Sequence, residues 1–135
     1  MALTLYYHPL ASYCHKVMVA LHELGIDAER QLVDLADAQQ RAQLQALWPM
    51  AKFPVLRDHA RGRDIPESSI IIEYLDRLGG AGRLIPADPD AALEVRLWDR
   101  VFDNYVQTPM QEIVAATFSP VAPDTSAQQT ALAKA

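Results

Sequence analysis

The chain has 135 residues, half of them apolar and 21% charged, with a formal net charge of −5. That length suits one domain, or one small domain and part of a second, and the acidic balance argues against a nucleic-acid surface. No apolar run approaches the roughly 20 residues of a membrane-spanning helix, and Met1 to Tyr7 lacks the basic start and apolar stretch of a signal peptide.

Leu3 to Tyr7 alternates and is rich in strand formers, which predicts a first strand broken by His8-Pro9. Val17, Leu21 and Leu24, spaced i, i+4 and i+7, predict a helix from about Ser12 to Leu24, with Ser12 as N-cap and Gly25 as the C′ glycine. Glu29 to Leu35 reads as a second strand, and the Ala/Gln-rich Ala36 to Leu47 as a helix stopped by Trp48-Pro49. Val55 to Asp58 and Arg63 to Ile65 are two short strands around a turn containing Gly62. Pro66-Glu67-Ser68 then opens a helix with Ile71, Tyr74, Leu75 and Leu78 on one stripe. The order is βαβ, then ββα.

Gly79 to Gly82 and Leu84 to Ala87 read as a linker, so the expected division is residues 1–80 and 81–135. Asp88 caps a further helix with Pro89 at its first position, carrying Leu93, Leu97, Trp98, Val101, Phe102 and Tyr105 and kinked or interrupted at Pro109. After Phe118 the chain turns Pro/Ser/Ala/Gln-rich. This second part is too short to bury both sides of its helix. It reads as a truncated all-helical domain, or as one that depends on a partner.

Few residues carry obvious chemistry. Cys14 is the single cysteine and can form no internal disulfide, which suggests a reducing, cytoplasmic setting. His8, His15, His22 and His59 show no metal-ligand spacing with it or with each other, so no metal is expected and all four read as structural or solvated. The run Gly79 to Gly82 follows a helix rather than a strand, which is wrong for a phosphate loop. Pro54 stands at the first step of a strand, where it removes an N–H from the ladder. Glu67 and Ser68 stand at a helix start, where free N–H groups and a partial positive charge suit an anion. A plain cap by Ser68 with a solvated Glu67 fits the same two residues.

Taken together, LYYHPLASYCHKV, KFPVL, PESSIIIEYL and LIPADP resemble the N-terminal domain of the cytosolic glutathione S-transferases and its linker into a long helix. The resemblance spans about Leu3 to Phe118. It implies an α/β fold: a thioredoxin-like βαβ-ββα domain followed by an incomplete all-α domain. It implies glutathione as co-substrate, conjugated through its thiolate to a small electrophile, and a homodimer. By resemblance the Phe53–Pro54 bond is cis, and Val55 offers its N–H and C=O to the cysteinyl unit of glutathione at an open sheet edge. Lys52 would reach the glycine carboxylate, Ser68 the γ-glutamyl carboxylate and Glu67 the ammonium.

For activation of the thiol, Ser12 ranks first, Tyr7 second and Tyr13 third. Alignment on His15-Lys16-Val17 puts the family's usual serine or cysteine at Ala11, one position earlier, so the match is imperfect. Asp103, Gln107 and Met110 are assigned to the second substrate by position alone. Ala11 to Cys14 also occupies the place of a glutaredoxin Cys-Pro-Tyr-Cys motif with the first cysteine lost. A thiol reductase using Cys14 is therefore the alternative reaction, and a non-catalytic binding module the alternative outside catalysis.

Overall fold

The computed structural model describes residues 2–118 and Ala133, so most of the segment after Phe118 lies outside the described residues. The elements are β1 (Leu3–Tyr7), α1 (Ser12–Leu24), β2 (Glu29–Leu32), α2 (Ala38–Leu47), β3 (Val55–Asp58), β4 (Arg63–Pro66), α3 (Ser68–Leu78), α4 (Pro89–Phe102), a π-helical turn (Asp103–Gln107) and α5 (Thr108–Thr117). They fall into two compact units, Met1–Ala87 and Asp88–Ala135.

In the first unit the sheet runs β2-β1-β3-β4. β1 and β2 are parallel, and β3 is antiparallel to both β1 and β4. This is the thioredoxin-like arrangement. Alternation along each strand sorts the side chains onto two faces. Leu3, Leu5, Leu56 and Ile65 pack with Val17, Leu21 and Leu24 of α1 and Ile71 and Leu75 of α3. Val55 and the partly buried Tyr6 face the other way, with Leu44 of α2, Val33 and Phe53. Leu5, Leu56, Ile71 and Leu75 are wholly buried, each stabilising the fold by about 1.5–3 kcal/mol.

Several boundaries differ from the pattern reading, those below for local reasons. Ala11, not Ser12, caps α1: its carbonyl accepts the N–H groups of Cys14 and His15, and Ser12 is the first residue inside. β2 ends at Leu32 rather than Leu35 because Asp34 diverts the chain, accepting the Ala36 N–H while its own N–H goes to the Gln40 side chain. α2 starts at Ala38 because Asp37 takes the N–H groups of Gln39 and Gln40. The interruption expected at Pro109 takes the form of a widened turn rather than a break. The backbone widens into the π turn just before it, with Thr108 N–H on the Asp103 carbonyl, and continues as α5. Gly25 in the left-handed conformation ends α1, and Asp88 with Pro89 starts α4, as the sequence predicts.

The glycine run does not part the two units. The buried Asp76 carboxylate accepts the N–H groups of Gly82, Arg83, Leu84 and Ile85 at 3.0–3.2 Å. Arg83 in turn donates to the carbonyls of Glu23 and Leu24. The linker is thereby stitched to the first unit, and the division falls after Ala87. In the second unit Leu93, Leu97, Trp98, Phe102 and Tyr105 each keep half or more of their surface exposed. Among the described residues no helix is long and apolar enough to cross a membrane.

Candidate functional site

Strand direction decides where the candidate residues meet. β1 and β4 both run antiparallel to β3, so the C-terminal ends of β1 and β4 and the N-terminal start of β3 lie at one end of the sheet. Tyr6, Val55 and Pro66 stand side by side there, at about 5 Å per strand. α1 follows from the end of β1 and α3 from the end of β4, and both pack on the same face. Lys16 Nζ donates to Ser69 Oγ at 3.0 Å, joining the second turn of α1 to the first turn of α3. Ser12, Phe53, Pro54, Glu67 and Ser68 therefore gather at one end of one sheet.

The two helices that start here differ from α2 and α4 in how they start. Asp37 and Asp88 cap α2 and α4 with their carboxylates, whereas Ala11 and Glu67 give α1 and α3 no side-chain cap. The positive ends of both helix dipoles lie at this end of the sheet. Glu67 sits at φ 71 and ψ 120, a conformation that non-glycine residues rarely adopt and that costs on the order of 1–3 kcal/mol. Its side chain is exposed, and Ser68 beside it is buried.

The reading of Val55 requires correction. β3 is an interior strand, with Val55 opposite Tyr6 on one side and Pro66 on the other. Its N–H and C=O face a neighbouring strand whichever way they point, so Val55 offers no open edge. Phe53 precedes the strand, outside both ladders, and is joined to the buried Pro54 by a cis peptide bond. Lys52 next to it is exposed and follows Ala51, which has φ 49.

Tyr7 packs against the core face that α1 and α3 cover, at the end of β1, and Tyr13 lies in the first turn of α1. Cys14 is wholly buried, and burial pushes its thiol up to about 11 despite a hydrogen bond from the His8 backbone. A thiol in that state is protonated at any physiological pH and shielded from a partner disulfide. His8, which the sequence marks as a strand breaker and as a structural or solvated residue, lies stacked on Phe53 with ring centroids 5.8 Å apart. No local signal in the chain links those two residues. His59, by contrast, pairs with Thr4 at 2.8 Å.

The residues assigned to a second substrate belong to the second unit. Asp103 is buried and held by Arg100, Met110 is exposed, and Gln107 has a buried Oε1 with no hydrogen-bond partner among the described residues.

Comparison with known proteins gives a consistent picture. A family model described as "Glutathione S-transferase, N-terminal domain" matches residues 11–78. Protein LigF of Sphingobium sp. is 30% identical over 108 residues, covering 78% of this chain and 41% of LigF. A glutathione S-transferase of Pseudomonas putida is 27% identical over 110 residues, covering 81% of this chain and 47% of that protein. The chain thus spans less than half the length of these two relatives. Among solved structures, a glutathione S-transferase from Methylobacillus flagellatus with glutathione bound superposes with a TM-score of 0.82 at 30% identity, covering 98% of this chain and 64% of that one.

Proposed function

The chain belongs to the glutathione S-transferase family, and from that premise we propose that it binds glutathione at the common end of β1, β3 and β4 and conjugates its thiolate to a small electrophile. The observation that carries this reading is the meeting of two helix starts without side-chain caps, those of α1 and α3, beside Phe53. Glutathione is a tripeptide with a charge at each end and a thiol between them. The α3 start suits the γ-glutamyl carboxylate, on the N–H groups and hydroxyl of Ser68, with Glu67 taking the ammonium. Phe53, outside the ladders, supplies main-chain groups for the cysteinyl unit in place of Val55. Lys52 takes the glycine carboxylate.

The thiol then lies at the α1 start, next to Ser12. A free thiol ionises near pH 8.5, so at neutral pH most of it is protonated. The Ser12 hydroxyl, donating to the sulfur and aided by the helix dipole, favours the thiolate. The thiol proton passes to solvent, the sulfur bonds to the electrophilic carbon, and the leaving group or the new carbanion takes up the displaced electron pair. Tyr7 is the second candidate for the same donation. For the electrophile the assignment stays with Asp103, Gln107 and Met110. A homodimer and a cytoplasmic setting belong to the same proposal.

The buried, protonated Cys14 favours this reading over a thiol reductase. The test is turnover on a panel of electrophiles, with thiol ionisation of bound glutathione followed against pH. Ser12→Ala is expected to lower turnover about tenfold or more and to raise that ionisation pH toward 8.5. If Tyr7→Phe has this effect and Ser12→Ala does not, the donor is Tyr7. If the unsubstituted chain turns over no electrophile yet binds glutathione, the binding-module alternative holds.

A further inference from the structure

We infer that His8 is a positioning residue of this site, joining Phe53 to the loop that leads into Ser12; the inference rests on the glutathione reading above. The His8 ring lies against Phe53 with centroids 5.8 Å apart and planes 15° apart, which is the geometry of an attractive aromatic pair. Its Nδ1 accepts the Leu10 N–H at 3.2 Å, and its carbonyl accepts the Ala11 N–H at 3.1 Å. A ring nitrogen that accepts carries no proton, so the neutral ring holds its proton on Nε2. His15 Nε2 adds a further tie, donating to the Pro9 carbonyl at 2.6 Å.

The two halves of the proposed site come from distant parts of the chain. Phe53 enters from the segment before β3, and Ser12 from the start of α1, which the loop after β1 leads into. His8 contacts Phe53 through its ring face and the loop leading to Ser12 through its Nδ1, which holds Leu10. The stack restrains the residue whose main chain meets the cysteinyl unit, so it acts on glutathione affinity. The Nδ1 bond restrains Leu10, two residues before the thiol-activating hydroxyl, so it acts on turnover.

Two substitutions separate these contacts. His8→Asn keeps an acceptor near the Nδ1 position and removes the ring. His8→Phe keeps the ring and removes the acceptor. His8→Asn is expected to raise the half-saturating glutathione concentration about three- to tenfold and to hold turnover within about twofold. His8→Phe is expected to do the reverse, lowering turnover about three- to tenfold. Amide exchange at Leu10 is expected to quicken in His8→Phe and not in His8→Asn, a readout independent of glutathione. If only one variant folds, its assigned parameter still decides. The inference is overturned if both variants move the same parameter equally, or if neither moves any. If calorimetry shows that the unsubstituted chain does not bind glutathione, the glutathione reading fails and the inference falls with it. If that chain binds and the variants match it, the inference alone fails.

Discussion

The Lys16 ammonium donates to the Ser69 hydroxyl at 3.0 Å, across the two helices whose starts share one end of the sheet. The contact fixes the spacing between the proposed thiol-activating and carboxylate-binding ends. Lys16→Met keeps the aliphatic stem and removes the donor. It is expected to lower stability by about 1 kcal/mol, read from the denaturant midpoint. It is also expected to weaken glutathione binding severalfold, while a surface control such as Arg41→Met changes neither.

Glu67 combines an uncommon backbone conformation with an exposed carboxylate. Glycine adopts φ near 70° without steric cost, at the expense of a more flexible unfolded chain. Glu67→Gly is therefore expected to leave thermal stability equal or slightly raised, by up to about 1 kcal/mol. Glutathione affinity is expected to drop about tenfold or more, because the partner of the ammonium is gone. A parallel loss of both would assign Glu67 to the fold and not to the ligand.

The Asp76 carboxylate holds the linker by four main-chain N–H groups. Burial raises its pKa and the four donors lower it by more, so the net shift is downward from 3.8. A lowered folded-state pKa means stability that is present above the ordinary carboxylate value and is lost as pH falls through the lowered one. Asp76→Asn is expected to cost about 2–3 kcal/mol at neutral pH. It is also expected to flatten the acid limb of the stability–pH curve below pH 3.8. Denaturant melts from neutral pH downward check both.

Cys14 offers a sharp separation of the two reactions. With its thiol wholly buried and pushed up to about 11, it is expected to react with an aromatic disulfide reagent only once the chain is unfolded. Cys14→Ala is expected to leave conjugation unchanged and to cost about 1 kcal/mol for the void left behind. Rapid labelling of the native chain, or loss of disulfide reduction in the variant, would restore the reductase alternative.

Much of this architecture can be read from the sequence because its signals are local. Gly25 ends α1 by its own backbone freedom, Asp88-Pro89 starts α4 by capping, and the stripe Ile71, Tyr74, Leu75 and Leu78 marks the buried side of α3. The larger errors come where the deciding partner is remote. Val55 reads as an edge residue until β4 is seen to close its second side. The glycine run reads as a division until Asp76, in the last turns of α3, is seen to gather it. Ser12 and Ser68 have capping side chains, yet the chain enters each helix one residue earlier, at Ala11 and Glu67. The stack of His8 on Phe53 joins segments that no short-range pattern connects.

Calorimetric titration of glutathione into the unsubstituted chain and into Ser68→Ala tests the central claim most directly. The account predicts one glutathione per chain, with affinity lowered about tenfold by Ser68→Ala and the melting temperature little changed. No binding to the unsubstituted chain, or equal affinity in both, would contradict it.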